Sequence, residues 1–317
     1  MSFRILGTGS AVPEKILTND ELSALVDTND EWITTRVGIS ERRIAVTETT
    51  SDLAYAASVR ALEMAEAEAD SIDLIIAATI TSDDVSPTTA GMVQRRLGAS
   101  CPAFELNSAC SGFLFALETA AAYFASGKYR RILVVGAERI SKIVDWKDRG
   151  TCVIFGDGAG AALLEAGENY LASAVHTYGG DEVIKIPNYH GTSIFNENEP
   201  IDPTIIMHGQ ETFKFAVTEM TNHVQKLTAD VGITPNDLAF IVPHQANMRI
   251  IAMAMKKLGL PEDKFVVNIQ KYGNTAAASV PIALDELVRS GKLVKGDLIL
   301  LCAFGGGLSS GGCIIRW

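Results

Sequence analysis

One cysteine stands where a nucleophile would be expected. Cys110 lies where a loop meets a helix that is apolar on nearly all sides, since residues 110–125 carry a single charge, Glu118. The unpaired N–H groups and the positive dipole end at a helix start favour a thiolate over a thiol, and backbone amides at such a turn can stabilise an oxyanion. Cys110 is therefore a candidate nucleophile, although a lone cysteine among small residues is also typical of simple core packing.

An internal repeat points to partners for this cysteine. The apolar segments 73–79 and 237–243 are similar, and so are the Ser-Gly-Lys tripeptides at 126–128 and 290–292. Both pairs are 164 residues apart. Two matches at one separation, each in the same strand or helix context, indicate a duplicated chain.

The same separation leads from Cys110 to Asn274, and from Ile80, just past the first strand, to His244. A duplicated fold would bring the corresponding loops together near its pseudo-twofold axis. We therefore expect the Cys, His and Asn side chains to share one pocket. Taken singly, His244 could be a hydrogen-bonded loop histidine and Asn274 a helix cap.

The elements that must hold these residues indicate an α/β fold. Continuous apolar runs at 74–78, 132–135 and 298–301 are typical of strands buried on both faces. A helix without a polar face, as at 110–125, must lie between two layers. We therefore predict two mixed sheets with helices between and outside them.

The repeat also divides the chain. We predict an N-terminal half, 1–170, that carries the nucleophilic cysteine, and a C-terminal half, 171–317, that carries the histidine and the asparagine. The polar segment 188–204 is predicted to be an excursion on the surface.

Two glycine-rich segments follow predicted strands. In Phe-Gly-Gly-Gly-Leu at 304–308, three glycines allow the backbone to approach a ligand and leave N–H groups free to donate; a tight turn is the alternative. Phe-Gly-Asp-Gly-Ala-Gly at 155–160 lacks the glycine spacing of a dinucleotide site and the lysine of a phosphate loop, so a close-packed turn is predicted there.

Composition excludes several classes of protein. The formal charge of −11 over 317 residues argues against nucleic acid and anionic membranes as partners. We find no apolar run near the roughly 18 residues of a membrane-spanning helix. The five cysteines are odd in number and form no C-x-x-C pair, so neither a zinc site nor a disulfide framework is expected. A reducing cytoplasm is the predicted location.

Four motifs, in this order, resemble β-ketoacyl-acyl carrier protein synthase III, a member of the thiolase-like condensing family. They are Ser-Ala-Cys-Ser-Gly around Cys110, His-Gln-Ala-Asn from His244, Tyr-Gly-Asn-Thr around Asn274, and the Phe-Gly-Gly-Gly turn. Segments 29–39 and 148–151 are similar as well. The resemblance implies a thiolase-like five-layered αβαβα fold from two duplicated halves with mixed sheets, a homodimer, and no metal or other cofactor.

The resemblance also implies an activity and roles in it. Cys110 would take an acyl group from acyl-CoA, with the N–H groups of Cys110 and Gly306 as the oxyanion hole. His244 and Asn274 would donate hydrogen bonds to the carbonyl of malonyl-acyl carrier protein as it loses CO₂. The product would be a β-ketoacyl-acyl carrier protein, the first step of fatty acid synthesis.

Residues for CoA binding follow from the same resemblance. Trp32, Arg36, Arg149 and Asn247 correspond to the family's CoA entrance, where adenine stacks between an indole and a guanidinium. Core filling by Trp32 and a surface ion pair of Arg149 are the alternatives.

Two further sites concern the partners of the reaction. Arg249 and Lys256, seven residues apart on one helical stripe, with Lys257 beside them, are predicted to dock the acidic carrier protein; a solvated helix face is the alternative. Ser86 stands near the position where a bulky aromatic from the partner subunit limits the family's acyl pocket. A serine there predicts primers longer or more branched than acetyl.

Three rival functions remain at this point. A specialised relative could use the same triad in secondary metabolism with a different acceptor. A cysteine hydrolase would use His244 as a base on Cys110 and Asn274 to orient it. A non-catalytic acyl-binding subunit would not need all three residues.

Overall fold

Two β-sheets pack on either side of a central pair of helices. The computed structural model describes residues 2–188 and 203–317. Most of the predicted surface excursion at 188–204 therefore lies outside the described residues.

The first sheet is built from the first half of the chain. Its strand order is β1-β7-β6-β4-β5, with β4 parallel to both its neighbours and β7 antiparallel to both of its own. The strands are β1 (Ser2–Ala11), β4 (Leu74–Ala78), β5 (Ala103–Leu106), β6 (Arg131–Arg139) and β7 (Asp157–Gly167). All five residues of β4 are buried, as expected for a strand covered on both faces.

The second sheet repeats this plan. Its order is β11-β12-β13-β8, which matches β4-β6-β7-β1 in both sequence and direction. A single parallel bridge between Ile241 and Phe265 stands where the first sheet has β5. The strands are β8 (Tyr170–Thr177), β11 (Phe240–Pro243), β12 (Leu298–Gly305) and β13 (Ser309–Arg316). The predicted mixed sheets and duplicated fold are confirmed, whereas the domain boundary at residue 170 stays a prediction.

The helices form the other three layers. The long ones are α3 (Thr50–Met64), α4 (Thr89–Leu97), α5 (Gly112–Ala125), α6 (Gly209–Asp230), α7 (Met248–Leu258) and α9 (Ser279–Arg289). Helices α5 and α9 share one buried cluster with both sheets, while α3 and α4 pack on the first sheet and α6 and α7 on the second. The result is five layers in the order αβαβα.

Short elements form a cap over one end of the sheets. They are α1 (Asn19–Ser23), α2 (Asp30–Val37), α8 (Ile269–Tyr272), β2 (Ile16–Thr18), β3 (Glu41–Arg43), β9 (Ile184–Lys185) and β10 (Ile206–Met207). Arg42, fully buried, ties this cap to the centre by donating to the Leu17 and Val153 carbonyls and to the Asn19 side chain.

The two loop-to-helix turns are equivalent, but not at the separation that the sequence suggested. Each begins with an alanine in the left-handed region, Ala109 with φ 46° and Ala276 with φ 44°. These alanines are 167 residues apart, so Cys110 matches Ala277, and Asn274 matches Asn107. The separation of 164 residues holds at the ends of α5 and α9 and fails at their starts, because α9 has 11 residues and α5 has 14. The pairing of Cys110 with Asn274 was therefore wrong.

We predict that Gly136 in β6 is essential to the contact between the halves. A Cβ at Gly136 would stand 2.3 Å from the carbonyl oxygen of Ala277, and backbone cannot yield as a flexible side chain can. Gly136→Ala should lower the free energy of unfolding by about 2 kcal/mol or more in urea denaturation.

Gly209→Ala is the matched control, because a Cβ at Gly209 would meet nothing within 4 Å. It should leave the free energy of unfolding unchanged or slightly raised. Equal stability of the two variants would contradict the predicted contact.

Candidate active site

Cys110 is presented by a strained turn. After β5, a short 3₁₀ turn (Ala109–Ser111) leads into α5, and Ala109 adopts a left-handed φ of 46° that non-glycine residues rarely take. The end of β12 closes on this turn from the other half of the chain. A Cβ at Gly305 would stand 2.8 Å from the Cys110 Cβ and 2.9 Å from its nitrogen, so only glycine fits there.

The three residues of the predicted triad line one cavity. It has a volume of about 790 Å³, and its walls include Cys110, His244, Asn274 and Gly306. Trp32, Arg36, Asn247 and Arg249 also line it. Its apolar walls are Ile80, Ile140, Val153, Ile154, Phe155, Ile184, Ile186, Ile205, Met207 and Phe304.

Cys110 holds its proton, contrary to the expectation from the helix start. Burial, followed by the nearby Glu138 carboxylate, raises the pKa of the Cys110 thiol to about 12. Loss of hydration therefore outweighs the helix dipole at this position. The group is therefore a neutral thiol, and part of its surface is accessible from the cavity.

His244 is a neutral imidazole. Burial lowers its pKa to about 3, and its ring packs edge-on against Phe304 with 5.3 Å between centroids. Its backbone N–H donates to Cys302 O at 2.8 Å, which fixes the loop after β11. Within the described residues, its buried Nδ1 has no hydrogen-bond partner.

Asn274 has a fixed orientation that leaves its NH₂ group free to act. Its Oδ1 accepts from the backbone N–H of Ala276 at 2.8 Å, and only the oxygen of an amide can accept. The backbone N–H of Asn274 donates to the Ile154 carbonyl oxygen at 2.9 Å. The NH₂ group thus remains as a donor on a side chain that is only 6% exposed.

Sequence reasoning missed Glu138, a fully buried carboxyl beside the cysteine. It accepts from the backbone N–H of Ile80 at 3.2 Å, from Thr79 Oγ1 at 3.3 Å and from Thr81 Oγ1. Burial raises its pKa to about 8 despite these donors. The available signal was an acidic residue near the end of a strand that is otherwise apolar from Ile132 onward.

At the mouth of the cavity, two guanidinium groups pack on one indole. Arg36 Cζ lies 5.5 Å from the centroid of the Trp32 ring, and Arg149 Cζ lies 5.2 Å from it. Arg149 Nη1 also lies 3.3 Å from Oδ2 of Asp27, which is the surface ion pair that the sequence offered as an alternative. A base stacked between an indole and a guanidinium needs about 7 Å between them. One arginine must therefore move for a base to enter.

The remaining predicted residues lie on α7 and on the loop after β4. Asn247 caps α7, accepting from the Arg249 N–H at 2.9 Å. Arg249 is exposed at the cavity mouth with its Cζ 6.0 Å from the Phe213 ring, and Lys256 and Lys257 are exposed farther along the helix. Ser86 is exposed and does not line the cavity formed by one chain.

Residues 2–188 and 203–317 contain neither a candidate metal site nor a helix that could span a membrane. No cluster of three or more His, Cys, Asp or Glu side chains there could hold a metal ion. No helix in the same ranges is both long enough and apolar enough to cross a bilayer.

Comparison with known proteins agrees with this arrangement. A family model described as 3-oxoacyl-(acyl-carrier-protein) synthase III matches residues 104–179, and one described as its C-terminal part matches residues 228–317. The β-ketoacyl-(acyl-carrier-protein) synthase III of Caldanaerobacter subterraneus subsp. tengcongensis is 50% identical over 99% of this chain and 97% of the relative. This chain belongs to the β-ketoacyl-acyl carrier protein synthase III family.

Solved structures of the family have the same fold. The 3-oxoacyl-(acyl-carrier-protein) synthase III of Aquifex aeolicus VF5 matches with a TM-score of 0.93 and 44% identity, covering 99% of this chain and 100% of that one. The priming β-ketosynthase from the R1128 polyketide biosynthetic pathway matches with a TM-score of 0.92 and 36% identity, covering 99% and 96%. The predicted thiolase-like fold and family are confirmed.

We predict an unusual pH dependence for alkylation of Cys110 by iodoacetamide. With a pKa of about 12, about one thiol in 10⁵ is ionised at pH 7. The rate should rise from pH 7 to 10 without a plateau, about tenfold per pH unit except near pH 8, where ionisation of Glu138 raises the pKa of Cys110 and makes the rise shallower. Peptide mass spectrometry would measure it for Cys110 alone. A plateau near pH 8 would contradict the raised pKa.

Glu138→Gln tests whether the Glu138 carboxylate contributes to the raised pKa of Cys110. The Glu138 carboxyl is ionised above about pH 8, so its removal should lower the pKa of Cys110 and speed alkylation about tenfold at pH 9 to 10. Cys101, half-buried and influenced by Asp73 instead, is the internal control and should react at an unchanged rate.

Proposed function

We propose that this enzyme condenses an acyl-CoA primer with malonyl-acyl carrier protein, releasing CO₂ and giving a β-ketoacyl-acyl carrier protein that starts a fatty-acid chain. One observation carries the proposal. A thiol, a neutral imidazole and an amide NH₂ line a single cavity whose walls include Arg36, Lys214 and Arg249 and, among the described residues, no acidic side chain. Such a cavity suits a substrate that carries a carboxylate and forms an enolate.

The first half-reaction transfers the acyl group. The Cys110 sulfur attacks the thioester carbon, the bond from that carbon to the CoA sulfur breaks, and the departing CoA thiolate takes up the thiol proton. Negative charge passes through the carbonyl oxygen. The N–H groups of Cys110 and Gly306 are the proposed donors to it, since Gly305 brings the two backbones into contact.

The second half-reaction makes the carbon–carbon bond. The malonyl carboxylate leaves as CO₂, and its electron pair moves onto the thioester oxygen as an enolate. His244 and the Asn274 NH₂ are the proposed donors to that oxygen. The enolate carbon then attacks the acyl-cysteine, the bond from the acyl carbon to the Cys110 sulfur breaks, and the released thiolate takes up a proton from solvent. The cysteine and the departing CO₂ supply the chemistry, so no metal or redox cofactor is required.

The geometry argues against the hydrolase alternative. A hydrolase of this kind needs an asparagine that orients the histidine and a histidine that takes the thiol proton. The Asn274 oxygen instead accepts from Ala276, and nothing in the described residues hydrogen-bonds the Nδ1 of His244. With pKa values of about 12 and about 3, transfer of the proton from Cys110 to His244 is unfavourable.

A specialised relative of secondary metabolism is the second candidate function. The likeness to a priming β-ketosynthase of a polyketide pathway favours it, since that protein shares the fold at 36% identity. Both candidates use the same half-reactions. They differ in the primer and the carrier, which the experiments below vary.

We further propose a homodimer and a cytoplasmic location. β5 is an edge strand in one chain, with its side chains half-buried and Val85 of the nearby loop 99% exposed. Pairing of two such edges would cover both. It would also carry Ser86 toward the partner's acyl pocket. The five cysteines are all free, which suits a reducing compartment.

Acylation by a panel of acyl-CoAs tests the function. Intact-protein mass spectrometry should show one acyl group added, and Cys110→Ala should abolish it, because the thiol is the acceptor. Adding malonyl-acyl carrier protein should then release CO₂ and consume the acyl-enzyme. Cys101→Ala, which removes another half-buried thiol, is the matched control and should acylate normally.

The same panel of acyl-CoAs tests which acyl chains the pocket accepts. With Ser86 at the gate, four- to eight-carbon or branched primers should acylate at least as fast as acetyl-CoA. A strong preference for acetyl-CoA would contradict the role of Ser86. Acylation that survives Cys110→Ala, or acyl-enzyme that yields free acid without malonyl carrier, would contradict the proposed function.

The exposed cations of α7 predict how the carrier protein binds. Arg249→Glu should raise the KM for malonyl-acyl carrier protein about tenfold, since an acidic partner would meet a like charge. Lys256→Glu, away from the cavity mouth, should act in the same direction. Steady-state kinetics at varied carrier concentration measures both.

Lys292→Glu, an exposed lysine outside α7, is the control and should leave this KM unchanged. The rate of Cys110 acylation by acyl-CoA should change less than about threefold in Lys256→Glu. An unchanged carrier KM in both α7 variants would rule out docking on this helix.

A further inference from the structure

One buried hydroxyl connects the cysteine turn to the glycine turn. Ser309, the first residue of β13 and 2% exposed, has its Oγ 2.8 Å from the Gly306 carbonyl oxygen and 2.7 Å from Ser111 Oγ. It also lies 3.3 Å from Ser108 O. Gly306 and Ser111 belong to opposite halves of the chain, so this side chain bridges the halves directly behind Cys110.

Two hydroxyl protons suffice for a continuous link. Ser111 Oγ can donate to Ser309 Oγ, which then donates to the Gly306 carbonyl. The reverse arrangement, in which Ser309 donates to Ser111 and Ser111 to Ser108 O at 2.8 Å, would leave the Gly306 carbonyl without this donor. In the first arrangement the cysteine turn, β13 and Gly306 are joined through buried hydrogen bonds, which are shielded from competing water.

The glycine turn is otherwise held at its ends, by the pairing of Gly305 with Ser309 and by backbone hydrogen bonds of Leu308 with Tyr178 and Gly179. Gly306 and Gly307 carry no side chains, and Gly307 has a φ of 132°. An oxyanion hole works only when its donors are held within about 0.5 Å of their place. The N–H groups of Cys110 and Gly306 come from segments almost two hundred residues apart.

We propose that Ser309 is a positioning residue, which holds Gly306 against the Cys110 turn so that their two N–H groups converge on one oxyanion. The inference rests on the proposed function. Ser309 does not line the cavity, so it acts through Gly306 and touches no substrate.

The next residue provides a matched control. Ser310 is likewise buried, but its side chain points to the other face of the sheet. There its Oγ donates to Glu219 at 2.6 Å and lies 3.1 Å from His223 Nε2. Ser309→Ala and Ser310→Ala thus remove the same atom from adjacent positions of one strand, and only the first faces the cysteine.

The experiment compares two reactions of the same sulfur. Acylation by acyl-CoA forms an oxyanion, whereas alkylation by iodoacetamide forms none. Ser309→Ala should lower the maximal rate of Cys110 acylation by about 10- to 100-fold, with the half-saturating acyl-CoA concentration and the alkylation rate changed less than about twofold. Ser310→Ala should leave all three quantities unchanged. Rapid-quench mass spectrometry measures both reactions.

The outcomes separate this inference from the function on which it rests. If the unaltered protein is not acylated, the proposed function fails. If it is acylated and Ser309→Ala acylates equally fast, or loses alkylation in proportion, the positioning role is wrong. Ser111→Ala breaks the same link from the other side. It should slow acylation in the same selective way, and it decides the question if Ser309→Ala does not fold.

Discussion

The arrangement of the site depends on two places where a glycine of one half lies against the backbone of the other half. At one, Gly305 lies so close to Cys110 that a Cβ would stand 2.8 Å from the cysteine Cβ; at the other, a Cβ on Gly136 would stand 2.3 Å from Ala277 O. Cys110 and Ala277 are equivalent, because each follows a left-handed alanine. Each contact therefore places a strand of one half, β6 or β12, against the loop-to-helix turn of the other half. They bring loops from both halves into one cavity, which no single half could form.

The symmetry is broken by what stands beside each turn. Beside Cys110 lie Gly305 and Gly306, which have no side chains, and the space next to them is part of the cavity. Beside Ala277 stands the carboxyl of Glu138, which accepts hydrogen bonds from the Ala277 backbone and from Ile80. One copy of the duplicated arrangement is thus open to the cavity, while the other is closed by the buried carboxyl of Glu138. The closed copy still influences the open one, since Glu138 raises the pKa of Cys110.

Much of the fold and the central triad could be predicted, because the relevant residues stand at element ends in recognisable motifs. The protonation of Cys110 could not, since a sequence displays a helix start but not the desolvation that outweighs it. The match of Cys110 to Asn274 failed because α9 is three residues shorter than α5, which no local pattern reveals. Glu138 accepts a hydrogen bond from Ile80, 58 residues away, and Ser309 lies within hydrogen-bond distance of Ser111, 198 residues away. Their roles depend on strand register, which sequence patterns leave open.

Burial also decides which reaction the cavity favours. It keeps Cys110 protonated and His244 uncharged, and Asn274 is neutral by nature. An imidazolium would bind the starting malonyl carboxylate as strongly as the enolate, and uniform binding does not lower a barrier. Neutral donors aimed at the thioester oxygen gain strength only as charge arrives there. The desolvation that makes Cys110 a poor nucleophile at rest therefore favours loss of CO₂, and the lowered pKa of His244 makes it a weak base for the activation of water that hydrolysis would need.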